Sequence, residues 1–167
     1  MREIHVGKNE SNQRADKLLK KLLPQAGSGF IYKMLRKKNI TLNDKKCAGG
    51  ELLKEGDVIK LWLAEDTINK FSTEQQRPKC NVKLKPVYED EDIIIFNKPA
   101  GLLSQKARED DESVNDALID YLFTTGQLTL EDMATFKPSI CNRLDRNTSG
   151  LVICGKSLYG LQTIAKA

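Results

Sequence analysis

The chain has 167 residues, a net charge of +4, 40% hydrophobic and 30% charged residues, enough for one ordinary domain or two small ones. It has no apolar run long enough to cross a bilayer, and no membrane partner is expected. Its four cysteines form no C-x-x-C pair and His5 is its one histidine, so no local metal site is expected and the thiols read as reduced, in a cytoplasmic chain.

Charge divides the sequence. Residues 1–62 hold 14 Lys/Arg against 7 Asp/Glu, a net +7, whereas residues 63–167 hold 13 against 16, a net −3. The basic third is an electrostatic footprint for a polyanion. Residues 2–6 alternate as a short strand. From Arg14 to Leu23, Ala15, Leu18, Leu19, Leu22 and Leu23 form a helical stripe stopped by Pro24, with Lys17, Lys20 and Lys21 largely on the other face. Ser28 is the expected N-cap of a second helix, Phe30 to Lys37. That helix carries Lys33, Arg36 and Lys37, with Lys38 just beyond, at spacings that can track phosphates. Ile40 and Leu42 lead to an Asn43-Asp44 turn, and Gly56-Asp57 precedes a strand from Val58 to Leu63.

Four blocks occur in order here: Arg14-Ala15-Asp16-Lys17-Leu18-Leu19, Ile31 to Lys38, Ile40-Thr41-Leu42-Asn43 and Glu55-Gly56-Asp57-Val58-Ile59. They resemble the small RNA-binding domain named after ribosomal protein S-four. The resemblance implies RNA contacts from Lys17, Lys20, Lys21, Lys33, Arg36, Lys37 and Lys38. Asp44 departs from the pattern, where a Gly commonly follows the Asn; Asp also tolerates left-handed backbone.

Residues 64–80 are polar and irregular and read as a linker, which sets the expected domains at 1–63 and 81–167. The second domain opens with an alternating strand, Val82 to Tyr88, then an acidic turn, Glu89 to Asp92. Ile93-Ile94-Ile95-Phe96 is a buried strand ended by Pro99 and Gly101. Lys98 in that loop reads either as a phosphate contact or as a solvated lysine. Residues 112–123 read as a helix with Val114, Ala117, Leu118, Tyr121 and Leu122 on one face. The preceding Glu109-Asp110-Asp111-Glu112 suits the positive end of a helix dipole. No element is assigned to residues 127–137. Ser157 is the expected cap of a last helix.

The densest chemistry lies in residues 139–155. Asp145 sits between Arg143 and Arg146 on a polar turn before the apolar run Leu151-Val152-Ile153-Cys154. A carboxylate between guanidinium groups is favoured in its charged form. Cys141 and Cys154 read as core residues. Arg143-Leu144-Asp145-Arg146-Asn147-Thr148-Ser149-Gly150-Leu151 resembles the catalytic signature of the RluA-type pseudouridine synthases, and Tyr88 to Gly101 is similar to the opening strand pair of the same family. The resemblance implies that Asp145 is catalytic and that Arg143 helps hold the geometry of a flipped uridine. It also implies an RNA substrate, most directly ribosomal RNA, and no cofactor. Asn142 stands where the family often has His, and Leu102-Leu103-Ser104-Gln105 follow the loop where it often has Val-His, as in some branches. Both departures argue against a histidine general base.

The fold class expected is α+β: a helix-helix-β RNA-binding domain followed by the N-terminal part of a mixed-sheet catalytic domain. The family's catalytic domain continues beyond the equivalent of Ala167, with a base-stacking Tyr and a basic residue that pairs with the catalytic Asp. The expectation is therefore a fragment that binds RNA and is inactive alone, with self-association through an unfinished sheet. The rival reading is a non-catalytic RNA-binding or ribosome-assembly module.

Overall fold

The structure, a computed structural model, describes residues 1–78 and 80–167. It divides into two compact units, residues 1–75 and 76–167. Residue 79, inside the expected linker, lies outside the described residues.

The first unit runs β1 (Arg2–His5), α1 (Ala15–Leu22), α2 (Ser28–Arg36), β2 (Ile40–Leu42), β3 (Lys45–Lys46), β4 (Val58–Leu61) and α3 (Glu65–Phe71). Its sheet has the order β1-β4-β2-β3, with every pairing antiparallel. The helical stripe of α1 is buried as its spacing requires: Leu18 and Leu19 join Ile31 and Leu35 of α2 and Ile59 and Leu61 of β4 in one core. One carboxylate locks α1 to α2. Buried Asp16 accepts from the Tyr32 hydroxyl at 2.6 Å and from Arg14 Nη2 at 3.0 Å. The Tyr32 hydrogen bond, with help from Arg14, holds the Asp16 carboxyl below its ordinary pKa.

Two expectations for this unit change, at Ser28 and in the linker, and the Asn43-Asp44 turn holds. Ser28 is the first helical residue, not the cap; Gly27 occupies the cap position and no side chain caps the helix. At the β2–β3 turn, Asn43 and Asp44 both have positive φ, 51° and 62°, the two-residue type I′ geometry that matches strand twist. Asp44 therefore takes the left-handed position without disturbing the hairpin. Residues 65–71, expected as linker, are helix α3. Ile68 is 1% exposed in the core, and the Phe71 ring lies 4.6 Å from that of Phe30.

The second unit runs β5 (Pro86–Glu89), β6 (Ile93–Lys98), α4 (Val114–Thr124), α5 (Leu130–Thr135), β7 (Ser139–Ile140), β8 (Gly150–Gly155) and α6 (Leu158–Lys166). Sheet order is β5-β6-β8-β7. All its strand pairings are antiparallel among the described residues, so the mixed sheet expected is not found there. Ile94 and Phe96 of β6 and Val152 and Cys154 of β8 face α4, against Leu118 and Leu122. Ser113 caps α4 by accepting from Asp116 N at 3.2 Å. The acidic residues before it brace loops instead of the helix end: Asp111 accepts from the N–H groups of Ala107 and Arg108, and Glu112 from that of Asn81.

The expected strand 82–88 is confined to Pro86–Glu89. The chain before it is tied down by Arg77 and Lys83, which both pair with the buried carboxylate of Asp120 on α4. The unassigned region 127–137 contains α5, started by a capping box between Thr129 and Asp132. Ser157 caps α6 as expected. That helix seats closely because of Gly160: a Cβ there would lie 2.1 Å from the Asp92 carbonyl oxygen.

Candidate active site

The loop between β7 and β8 carries Asp145, and hydrogen bonds pin it at alternate residues. Cys141 N donates to Ile153 O at 2.7 Å. The Asn142 amide brackets β8, donating to Leu151 O at 3.2 Å and accepting from Ile153 N at 2.7 Å. Both backbone groups of Leu144 meet one hydroxyl: Leu144 N donates to Ser104 Oγ at 2.9 Å, and Ser104 Oγ donates to Leu144 O at 2.7 Å. The Arg146 carbonyl accepts from Gly101 N at 2.6 Å and from Lys98 Nζ at 3.0 Å. Thr148 N then closes a turn onto Asp145 O at 2.9 Å.

Alternation decides what faces out. Asn142 and Leu144 are half-buried, with Leu144 packed on the core, whereas Arg143, Asp145 and Arg146 are exposed. The result is a carboxylate presented to solvent on a loop held from behind. No ion pair joins Asp145 to Arg143 or Arg146 among the described residues. The guanidinium groups flank the carboxylate without engaging it, which leaves all three groups free for a ligand.

Lys98 fits neither of its expected readings. It is 0% exposed, and Nζ donates to three carbonyl oxygens: Leu102 at 2.6 Å, Arg146 at 3.0 Å and Pro99 at 3.1 Å. An ammonium has three donors, and all are used. Gly101, with φ of 95°, turns the loop so that its own N–H reaches the same Arg146 carbonyl. Period-two reading of β6 places Ile94, Phe96 and Lys98 on one buried face, a signal that points Lys98 inward. Ser104 carries no such signal, because its partner lies 40 residues away.

Asn142, which stands in place of an imidazole, is a structural clamp. Cys154 is buried as expected and its thiol is pushed up to about 12 by burial. Cys141 is only half-buried, and burial also raises its pKa. A cavity of about 770 Å³ adjoins the loop, lined in part by Pro99, Gly101, Asp110, Glu112 and Arg146. Asp145 does not line it, and its carboxylates would repel phosphate. No group of three His, Cys, Asp or Glu residues suited to a metal occurs among the described residues.

The basic residues lie on the first unit. Lys17, Lys20 and Lys21 on α1, and Lys33, Arg36, Lys37 and Lys38 on or just after α2, are all exposed. None forms an ion pair among the described residues, and Lys21 donates to the Gln13 amide oxygen at 3.2 Å.

Residues 92–167, which hold the pinned loop and most of the sheet backed by α4, match the family model described as RNA pseudouridylate synthase. Similarity to proteins named as RNA or ribosomal large subunit pseudouridine synthases extends over most of the chain. It is 34% identical over 159 residues to the Ribosomal large subunit pseudouridine synthase C of Rickettsia felis, covering 87% of this chain and 47% of that protein. The protein of the same name from Rickettsia bellii is 36% identical over 151 residues, covering 86% and 47%. An Uncharacterized RNA pseudouridine synthase of Mycoplasma capricolum is 34% identical over 158 residues, covering 94% and 51%. The chain thus spans about half the length of the curated relatives it matches. A solved structure of a pseudouridylate synthase aligns at 17% identity over 89% of this chain and 49% of that one, with a TM-score of 0.27, too low to inform the fold.

Proposed function

We propose that this chain carries the catalytic carboxylate of an enzyme that isomerises uridine to pseudouridine in structured RNA, ribosomal RNA foremost. The observation that carries the reading is the exposed Asp145 carboxylate, flanked by two unpaired guanidinium groups on a loop pinned through Leu144 and Arg146.

The reaction breaks the bond between the ribose C1′ and uracil N1, turns the base and joins C5 to C1′. A proton leaves C5 and one is gained at N1, so the product is an isomer and no redox partner or cofactor is required. Asp145 serves as the carboxylate that attacks covalently or removes a sugar proton. A uridine within a helix must first leave the stack, at about a few kcal/mol; in this reading Arg143, which is exposed near Asp145 in the chain, helps hold that geometry. In this proposal the first unit is the S-four-like RNA-binding domain, working in the cytoplasm. Its exposed cations supply affinity through phosphates, and structured RNA is read largely by shape. Exposed Val87 and Tyr88 on edge strand β5 support self-association, which sedimentation at graded concentration tests. The activity itself is tested by release of tritium from RNA labelled at uridine C5: Asp145→Asn should abolish release and leave RNA binding intact.

A further inference from the structure

We infer that Ser104 is a positioning residue for Asp145, setting the direction in which the carboxylate leaves the loop; the inference rests on the reading of Asp145 as the catalytic group. The peptide unit between Leu144 and Asp145 comprises the Leu144 carbonyl and the Asp145 nitrogen. Ser104 Oγ donates to that carbonyl at 2.7 Å and accepts from Leu144 N at 2.9 Å. One atom therefore restrains both peptide units that meet at the Leu144 Cα, the second of which carries Asp145. The hydroxyl has one proton and two lone pairs, so it can donate and accept at once. At 4% exposure Ser104 is shielded from competing water.

Ser104 is itself held by the start of α4. Its carbonyl accepts from Asn115 N at 3.1 Å, and the Leu103 carbonyl accepts from Val114 N at 2.9 Å. The Asn115 side chain in turn accepts from Ile140 N of β7 at 3.2 Å. The first turn of α4 thus braces both the strand that enters the loop and the hydroxyl that orients it. On the far side of Asp145, the Arg146 carbonyl has two donors, Gly101 N and Lys98 Nζ. On the near side, Ser104 Oγ holds both backbone groups of Leu144. Loss of this hydroxyl frees the peptide while the loop stays tethered at Asn142 and Arg146, so the group is displaced and the fold is kept.

The test compares Ser104→Ala, Ser104→Thr and Ser104→Val in the longest product of the gene. Thr and Val share a shape, and Thr alone keeps the hydroxyl. Amide exchange at Leu144 and tritium release from C5-labelled RNA are measured together. The expected result is faster Leu144 exchange in Ala and Val, with protection retained in Thr. Their kcat should fall by about 10²-fold, the order expected for a misplacement near 1 Å, with KM and RNA affinity unchanged and most of the rate recovered in Thr. Equal rates for all variants and wild type overturn the inference, as does a Thr variant no better than Val. If the wild-type protein releases no tritium, the activity reading fails. Exchange then decides the inference's structural half, and wild-type protection of Leu144 in the Ala variant overturns it.

Discussion

Replacing Lys98 with Met keeps the length of the side chain and removes the ammonium. In the native structure that ammonium donates to the carbonyls of Leu102, Arg146 and Pro99 with no water-exposed surface. Hydrogen bonds to a charged group contribute about 1.5–3 kcal/mol each. Three give a gross loss of roughly 4–9 kcal/mol, offset by several kcal/mol because the variant no longer buries a charge. The Arg146 carbonyl keeps its bond from Gly101 N, which limits the damage. The net cost is about 2–4 kcal/mol. For a unit of this size that lowers Tm by roughly 10–25 °C. Trp62, the one tryptophan, lies in the first unit, so its fluorescence reports that unit while far-UV circular dichroism reports both. Urea titration of Lys98→Met should move the dichroism transition of the second unit to lower urea and leave the Trp62 transition in place. An unchanged second transition would refute the assignment of Lys98 as a buried three-carbonyl hub.

Other outcomes follow from the same structure. Glu51 accepts from the Cys47 thiol at 3.0 Å and from the N–H groups of Ala48 and Gly49 at 2.8 Å, which hold its pKa at about 2. A depressed carboxyl stabilises fully above its unfolded value, 4.5, and loses that contribution as pH falls through the folded value. The Trp62 denaturant midpoint should therefore fall between pH 4.5 and about 2, with Asp16 and Asp57 acting in the same direction. Burial pushes the thiols of Cys47 and Cys154 up to about 12, so a thiol-alkylating reagent on native protein should reach partly exposed Cys80 and Cys141 first; mass spectrometry of the digest reads the order. Replacing Lys33, Arg36 and Lys37 together with Ala should weaken RNA binding and flatten the log K against log salt slope by about 0.7–0.9 for each phosphate no longer neutralised.

Much of this architecture is legible locally. α1, α2, α4 and β6 follow from hydrophobic spacing, and the Asn43-Asp44 hairpin from turn chemistry. The misses have physical reasons. Helix α3 buries Ile68 with Phe71 beside it, too few apolar positions to show a period among its polar neighbours. α5 is announced by Thr129 and Asp132, but only Met133 of that helix is buried. Lys98 is legible from β6 alternation, yet a lysine beside a Pro-Ala-Gly loop reads as solvated. Ser104 and Asn142 act through partners brought to them by the fold, so no local pattern marks them. The Asp145 motif stands out in the sequence by family resemblance, whereas its pinning from behind becomes visible only in three dimensions.

The most direct test of Asp145 is tritium release from C5-labelled uridine RNA by the longest product of the gene, beside its Asp145→Asn variant. Release by the wild type and none by the variant, with equal RNA affinity, is the expected result. Release by Asp145→Asn at the wild-type rate would contradict the catalytic role, and a silent wild type that still binds RNA would identify a binding module instead.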